Sequence, residues 1–162
     1  MATPTKKKIL EKMRAQLKEQ IKSVEKAVEQ AREGFAVGDD RADNRGERGA
    51  IQEKSWLLSA QASRLEELQR QLFALENADT RTLRTAGAGA LVAVREIGGR
   101  KEEIYLLHPE FGGHETDVGG VKVTVISPVS PLGRALVGKK TGEDLEAELP
   151  GGVRRLRVLR VS

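Results

Sequence analysis

Two stretches of the sequence repeat apolar residues at steps of three and four, and this repetition constrains the fold more than any other feature. In the first, Leu10, Met13, Leu17, Ile21, Val24, Val28, Ala31 and Phe35 follow one another with Lys, Glu, Gln and Arg between them. In the second, running from about Glu47 to Glu76, the series is Ile51, Leu58, Ala62, Leu65, Leu68, Leu72 and Leu75. Such steps keep a stripe on one face of an α-helix and make the seam of a coiled coil. A helix whose remainder is this polar needs a partner for its stripe. The stripes are similar in length and a short polar segment joins them, so folding back as an antiparallel hairpin buries both. Each arm would be roughly 45 Å long at ~1.5 Å per residue. Pairing of each helix with a second chain is the competing arrangement. Thr5 is the expected N-cap, and Gly34 and Gly38 mark where the first helix weakens and stops. Trp56, beside the stripe, reads as a packing residue.

The joining segment, Gly38 to Arg48, is GDDRADNRGER. It crowds Asp39, Asp40, Asp43 and Glu47 together with Arg41, Arg45 and Arg48. A turn between two long helices stands at the far end of what they build, so its acids suggest a reagent delivered into a site on another molecule. The plainer reading is that Asp and Asn are ordinary cap and turn residues.

Residues 77–90 (NADTRTLRTAGAGA) lose the periodicity and gain Gly, Thr and Asp, which reads as a linker. The expected domains are therefore a hairpin over 1–78 and a small β-rich domain over 79–162, an α+β chain. Strands are expected at Ala90–Arg95, Glu103–His108, Val121–Ile126, Asp144–Leu149 and Val153–Val161, punctuated by Gly-Gly pairs. The last is expected to alternate strictly, Val153, Leu156, Val158 and Val161 intermixing with Arg154, Arg155, Arg157 and Arg160, which predicts one buried and one strongly basic face. Pro131–Val137, with Pro at its start and Gly138 at its end, is the helix candidate.

Composition narrows the function. The absence of cysteine excludes a disulfide framework and thiolate metal sites. His108 and His114 alone do not furnish a zinc site. No long apolar run predicts a membrane helix, and MATPTKKK leads into a charged helix, which predicts no signal peptide. The cytoplasm is the expected location. A formal charge of +4 fits an anionic partner and an ordinary soluble surface equally well.

The segment ISPVSPLGRALVGKKTGEDLEAELPGGVRRLRVL (Ile126–Leu159) resembles the C-terminal signature of the bacterial transcript cleavage factors GreA and GreB. The elements that carry the resemblance are Ser130-Pro131, Arg134-Ala135-Leu136, Gly138-Lys139 and Pro150-Gly151-Gly152. The family places a coiled-coil hairpin before an FKBP-like domain, the same order that periodicity gives here. Its tip motif is a Gly-Asp pair followed by variants of Arg/Leu-Ser-Glu-Asn. Asp40-Arg41-Ala42-Asp43-Asn44 matches D-R-S-E-N, nearest to GreB, with Asp40 and Asp43 in the places of the two acids. The chain departs from the family in its extra Asp39 and in Arg45-Gly46-Glu47-Arg48 after the asparagine. An alternative register pairs Gly38-Asp39 with the family's Gly-Asp and leaves Ala42 where the second acid belongs.

The resemblance implies an accessory factor and not an enzyme in its own right. Its hairpin would enter the secondary channel of bacterial RNA polymerase and stimulate cleavage of backtracked RNA at the nascent 3′ end. Asp40 and Asp43 would help hold a second magnesium shared with the polymerase, Asn44 would orient the attacking water, and Arg41 would approach RNA phosphate. Asp39 and Glu47 are auxiliary. Ser130, Pro131, Leu132 and Arg134 would dock on the polymerase rim, with packing as the competing role for Leu132. Lys6–Lys8, Lys12, Lys18, Lys22 and Lys26 would face RNA, or simply water. A monomer with no membrane partner is expected. Three readings compete: a Gre-like inhibitor filling the same channel, to which crowded aspartates are suited; a prolyl isomerase, disfavoured because the domain's pocket aromatics are only Tyr105 and Phe111; and a coiled-coil scaffold.

Overall fold

The computed structural model describes residues 3–37 and 45–162, with side chains for 3–34 and 48–162. Two long helices, α1 (Lys6–Val37) and α2 (Arg45–Glu76), precede a strand-rich region. That region runs β1 (Leu91–Glu96), β2 (Glu102–Leu107), β3 (Glu115–Val118), β4 (Val121–Ile126), α3 (Pro131–Leu136), β5 (Asp144–Leu149) and β6 (Gly152–Val161). The chain separates into two compact units, Arg14–Glu76 and a second that combines the residues up to Met13 with Asn77–Ser162. The expectation over 1–78 kept those first residues with the helical arm.

In the helical unit Leu17, Ile21 and Val28 of α1 and Leu68 and Leu75 of α2 are buried, as the stripes require. The Arg14 guanidinium donates to the Leu75 carbonyl from Nε (3.2 Å) and Nη2 (2.8 Å). This oxygen is one of the last four in α2, which have no partner within their own helix. The start of the unit's first helix therefore meets the end of its second, and the pair is antiparallel. Two expectations fail. Ile51 is 38% exposed, because the seven-residue step to Leu58 leaves Lys54 and Ser55 where a seam residue belongs. Trp56 is 70% exposed and lies off the seam, since two residues before Leu58 is roughly 200° around the helix.

The second unit begins with the first turns of α1. The Thr5 hydroxyl accepts the Lys8 amide at 3.3 Å, the N-cap contact expected there. Lys6 is buried, and its ammonium donates to the Arg81 carbonyl at 2.7 Å. Burial lowers its pKa, and the Asp79 charge partly offsets this. Residues 77–90 are not a free linker. Ala86 is buried, its amide donates to the Lys139 carbonyl at 2.8 Å, and its carbonyl accepts from Gly138 at 2.8 Å.

The sheet is mixed, in the order β3-β4-β2-β1-β6-β5, with β2 and β4 parallel and the other neighbours antiparallel. Val92, Val94, Leu107, Leu145, Ala147, Leu156 and Val158 form a core with Leu132 and Leu136 of α3. Strand β3 (ETDV) escapes a hydrophobic pattern because it has one apolar residue and buries Thr116. Its signal was the following Gly119-Gly120, both at positive φ (63° and 83°), a two-residue hairpin turn that glycine favours. Strand β6 does not alternate strictly. Val94 pairs with Val158 and Ala93 with Arg160, so Leu159 is an extra residue, a bulge, and the three-residue step from Val158 to Val161 was its trace in the sequence. Val153, expected inside, is 60% exposed.

This register yields a paired test by chemical denaturation. Leu156→Ala should cost ~2–5 kcal/mol as a core truncation. Val153→Ser should stay within about 0.5 kcal/mol of the parent, as a surface change does.

Candidate functional site

The described part of the candidate site is the turn and helix from Ser127 to Gly138. Ser130 sits in extended backbone (φ −67°, ψ 160°) as the N-cap of α3. Its hydroxyl accepts the Gly133 amide at 3.1 Å and donates to the Ser127 carbonyl at 2.6 Å. One side chain thus closes the turn and starts the helix. Pro131 takes the first helical position, where its missing N–H costs nothing. Glycine at 133 is a steric necessity, because a Cβ there would lie 2.0 Å from the Ser127 carbonyl oxygen.

This geometry divides the expected docking residues. Leu132 is 8% exposed and packs in the core, which answers its ambiguity in favour of packing. Pro131 and Arg134 are exposed, and Ser130 is half-buried by its capping role. Val129 (69% exposed) and Val137 (46%) accompany them outward, two residues the sequence reading did not single out. Their signal was apolar character beside a Ser-Pro cap and a Gly stop, where nothing internal asks for it.

Asp39, Asp40, Arg41, Asp43 and Asn44 lie outside the described residues, and Glu47 is described only as backbone within α2. On either side of them α1 is described to Val37 and α2 from Arg45. Among the described residues no cluster of three His, Cys, Asp or Glu is placed to hold a metal. The donor set of the joining segment, carboxylates and an amide oxygen, is the kind magnesium takes.

Two basic surfaces were expected, and they differ. On β6 the arginines stand opposite acids. Arg157 faces Asp144 across the ladder and Arg155 faces Glu146, at 2.7 and 3.0 Å. Arg154 contacts Glu103 at 3.0 Å and Glu96 at 3.4 Å, and Arg160 pairs with Glu102. The strand is basic in sequence and neutralised in the fold. On α1, Lys18, Lys22 and Lys26 recur every four residues on one ridge, all exposed. Among the described residues no ion pair engages them, although Glu19 and Glu25 share the helix.

The Arg154 site includes Tyr105, whose hydroxyl donates to Glu103 at 2.5 Å. Burial and then this carboxylate push the phenol up to about 12, while Arg154 acts weakly against them. Burial opposes ionisation of Glu103 itself, but the Arg154 and Tyr105 hydrogen bonds hold its pKa below the usual value. Tyr105 lines a groove of about 690 Å³ with Lys101, Glu115, Lys122 and Arg154, whereas Phe111 is buried, with its ring centroid 4.8 Å from that of His108. Phe111 is not among the residues that line the groove at Tyr105, which carries Lys101, Glu103, Glu115, Lys122 and Arg154.

Known proteins match this chain in sequence, and solved structures align with it. The family description "Transcription elongation factor, GreA/GreB, C-term" matches residues 83–162. A "Transcription elongation factor GreA" of Caulobacter sp. (strain K31) is 31% identical over 124 residues, 75% of this chain and 73% of that protein. One of Streptococcus suis (strain 05ZYH33) is 36% identical over 85 residues, 52% of this chain and 49% of that protein. The match thus spans about half the length of the streptococcal relatives. Among solved structures, GreA factor homolog 1 (Gfh1) of Thermus thermophilus aligns over 92% of this chain and 94% of its own, at 22% identity and a TM-score of 0.39. A GreA/GreB factor from Nitrosomonas europaea aligns over 59% and 78%, at 24% identity and a TM-score of 0.38.

Two measurements check the site. Gly133→Ala should lower stability by at least ~2 kcal/mol in denaturant, because a side chain forced against a carbonyl overpacks the turn. Titration of the single tyrosine by absorbance should give a midpoint near 12, falling toward 10 in Glu103→Gln. The sign follows: a phenol held neutral by the fold adds stability that is complete below its unfolded pKa near 10 and is lost as pH rises through about 12.

Proposed function

The chain belongs to the GreA/GreB family of transcription elongation factors, and from that premise we propose that it binds bacterial RNA polymerase and stimulates the polymerase's own cleavage of backtracked RNA. The observation that carries this reading is an antiparallel helical arm, closed by an acidic segment, in one chain with a unit that matches the family's C-terminal pattern.

The arm would enter the secondary channel and bring residues 38–44 to the nascent 3′ end. Asp40 and Asp43 would hold a magnesium ion shared with the polymerase, and neither needs to bind it alone. When bound there, such an ion acidifies water and balances charge on the phosphodiester oxygens. Asn44 is the residue to orient the attacking water through its side-chain amide. Arg41 would meet a phosphate of the RNA, with Asp39 and Glu47 beside it. The unpaired Lys18, Lys22 and Lys26 ridge is a second phosphate-facing surface, whose contribution would weaken as salt is raised. Pro131 and Arg134, with Val129 and Val137, are the outward residues for docking at the channel rim. Leu132 would support them from the core. FKBP-like architecture for the sheet unit and a cytoplasmic location belong to the same reading.

One feature favours the inhibitor as a second reading. Asp43 stands where the family has glutamate, one methylene shorter, and withdraws the carboxylate by ~1.5 Å; a misplacement near 1 Å can cost ~100-fold in rate.

The deciding experiment adds the protein to a stalled, backtracked elongation complex with magnesium and follows RNA 3′ ends. Shortening that drops at least ~100-fold in both Asp40→Ala and Asp43→Ala supports a cleavage factor with these ligands. Asp43→Glu separates the readings further, since it should leave a stimulator active and turn an inhibitor toward cleavage. Slowed synthesis without shortening makes the protein an inhibitor. No binding and no effect sinks the functional reading.

A further inference from the structure

The outward face of α2 carries a feature that neither the seam nor the acidic segment explains. Trp56 is the chain's single tryptophan, it is 70% exposed, and it stands opposite the buried stripe. Its neighbours on that face, one and two turns away, are Gly49, Gln52, Glu53, Ser59, Ala60 and Ser63, all exposed. Only one of the six is charged, in a chain where 32% of residues are charged. The small residues leave the indole standing clear of the helix and allow another surface to approach the backbone.

We propose that this face is a protein-docking strip, with Trp56 as its anchor against the wall of the polymerase channel. The inference rests on the proposed function, which places the arm in that channel. Three arguments select this occupant. A lone exposed tryptophan ringed by small neutral residues has the composition of an interface hot spot. Single-stranded RNA would also accept an aromatic face, but such sites pair stacking with cations that follow the phosphates. Here the charge on the same face is Glu53, while Lys54, the nearest cation in sequence, lies roughly 160° around the helix from Trp56. A second copy would be compatible with a neutral strip, yet two hairpins side by side would double the ~20 Å breadth of one pair of helices that must enter the channel.

The single tryptophan makes the test direct. Full-length protein carrying 5-hydroxytryptophan at this position can be excited selectively in the presence of the polymerase's own tryptophans. Acrylamide quenching is then measured for the free protein over a concentration series, with core polymerase lacking nucleic acid, and with a backtracked complex. Binding is measured separately by anisotropy of a dye-labelled protein in competition with unlabelled variants. The expected results are severalfold protection by core polymerase alone and a Trp56→Ala variant that binds about tenfold more weakly. Trp56→Phe should recover most of the loss, and circular dichroism of the Ala variant should be unchanged. Protection that requires RNA would overturn the proposal in favour of base stacking. Protection that grows with protein concentration alone would overturn it in favour of self-association. Tight binding with position 56 as quenchable as in the free protein would remove the strip and leave the proposed function intact. No binding to polymerase would remove both.

Discussion

Neither long helix can bury its apolar stripe by itself, and the helical unit follows from that constraint. Leu17, Ile21 and Val28 are removed from water only where Leu68, Leu75 and their half-buried neighbours Leu58, Leu65 and Leu72 supply the opposing surface. A buried aliphatic side chain contributes ~1.5–3 kcal/mol, so a handful of seam residues outweighs any local preference of such polar helices. The register is then fixed at the open end by a charged hydrogen bond. Arg14 reaches a carbonyl that α2 cannot satisfy internally and ties two residues 61 positions apart.

The charges obey a different logic in the two units. On the sheet, register puts acids opposite arginines, and each exposed pair is worth only ~0–1 kcal/mol. Their larger consequence is to cancel the field of β6, which removes the most basic stretch of the sequence as a binding surface. Position on a ladder did this, so sequence composition could not reveal it. On α1 the lysines follow one another at four-residue steps, and like charges so placed are mildly unfavourable. Glu19 and Glu25, three residues to either side of Lys22, carry the opposite charge on the same helix.

What the sequence disclosed and what it withheld divide along the range of the interactions. The helices, five of the six strands, α3 and its proline start were legible because stripes, glycine punctuation and caps are local signals. The core role of Leu132 was legible only as one of two alternatives, because α3 is one short turn-and-a-half whose inward face is decided by the Ser130–Gly133 cap and the strands beneath it. β3 was hidden because its partner β4, and not its own ETDV sequence, makes it a strand. Val153 and Trp56 were misplaced for related reasons. Val153 stands an odd three residues before the buried Leu156 and so falls on the other face of its strand, and an aromatic residue adjacent in sequence to a stripe can stand on the opposite side of the helix. The candidate acids at 39–44 were legible as residue types in a chemically pointed arrangement, and their placement lies outside the described residues.

The proposed reading makes a geometric demand on the arm. A lever of ~45 Å that is held only through its base displaces its end by about 0.8 Å for each degree of tilt. Errors near 1 Å cost ~100-fold in the chemistry proposed for Asp40 and Asp43. Stiff helices transmit tilt faithfully and cannot correct it, so docking through Pro131 and Arg134 alone would leave the acids poorly aimed. A lateral contact part-way along the arm would supply the missing constraint. Trp56 lies eleven residues beyond Arg45, the first residue of α2, about 17 Å along the helix. A docked indole at that distance limits sideways excursion more effectively than any contact at the base. Surroundings in which one of six neighbours is charged would suit such a contact, because docking gains from close approach and from few polar groups to desolvate.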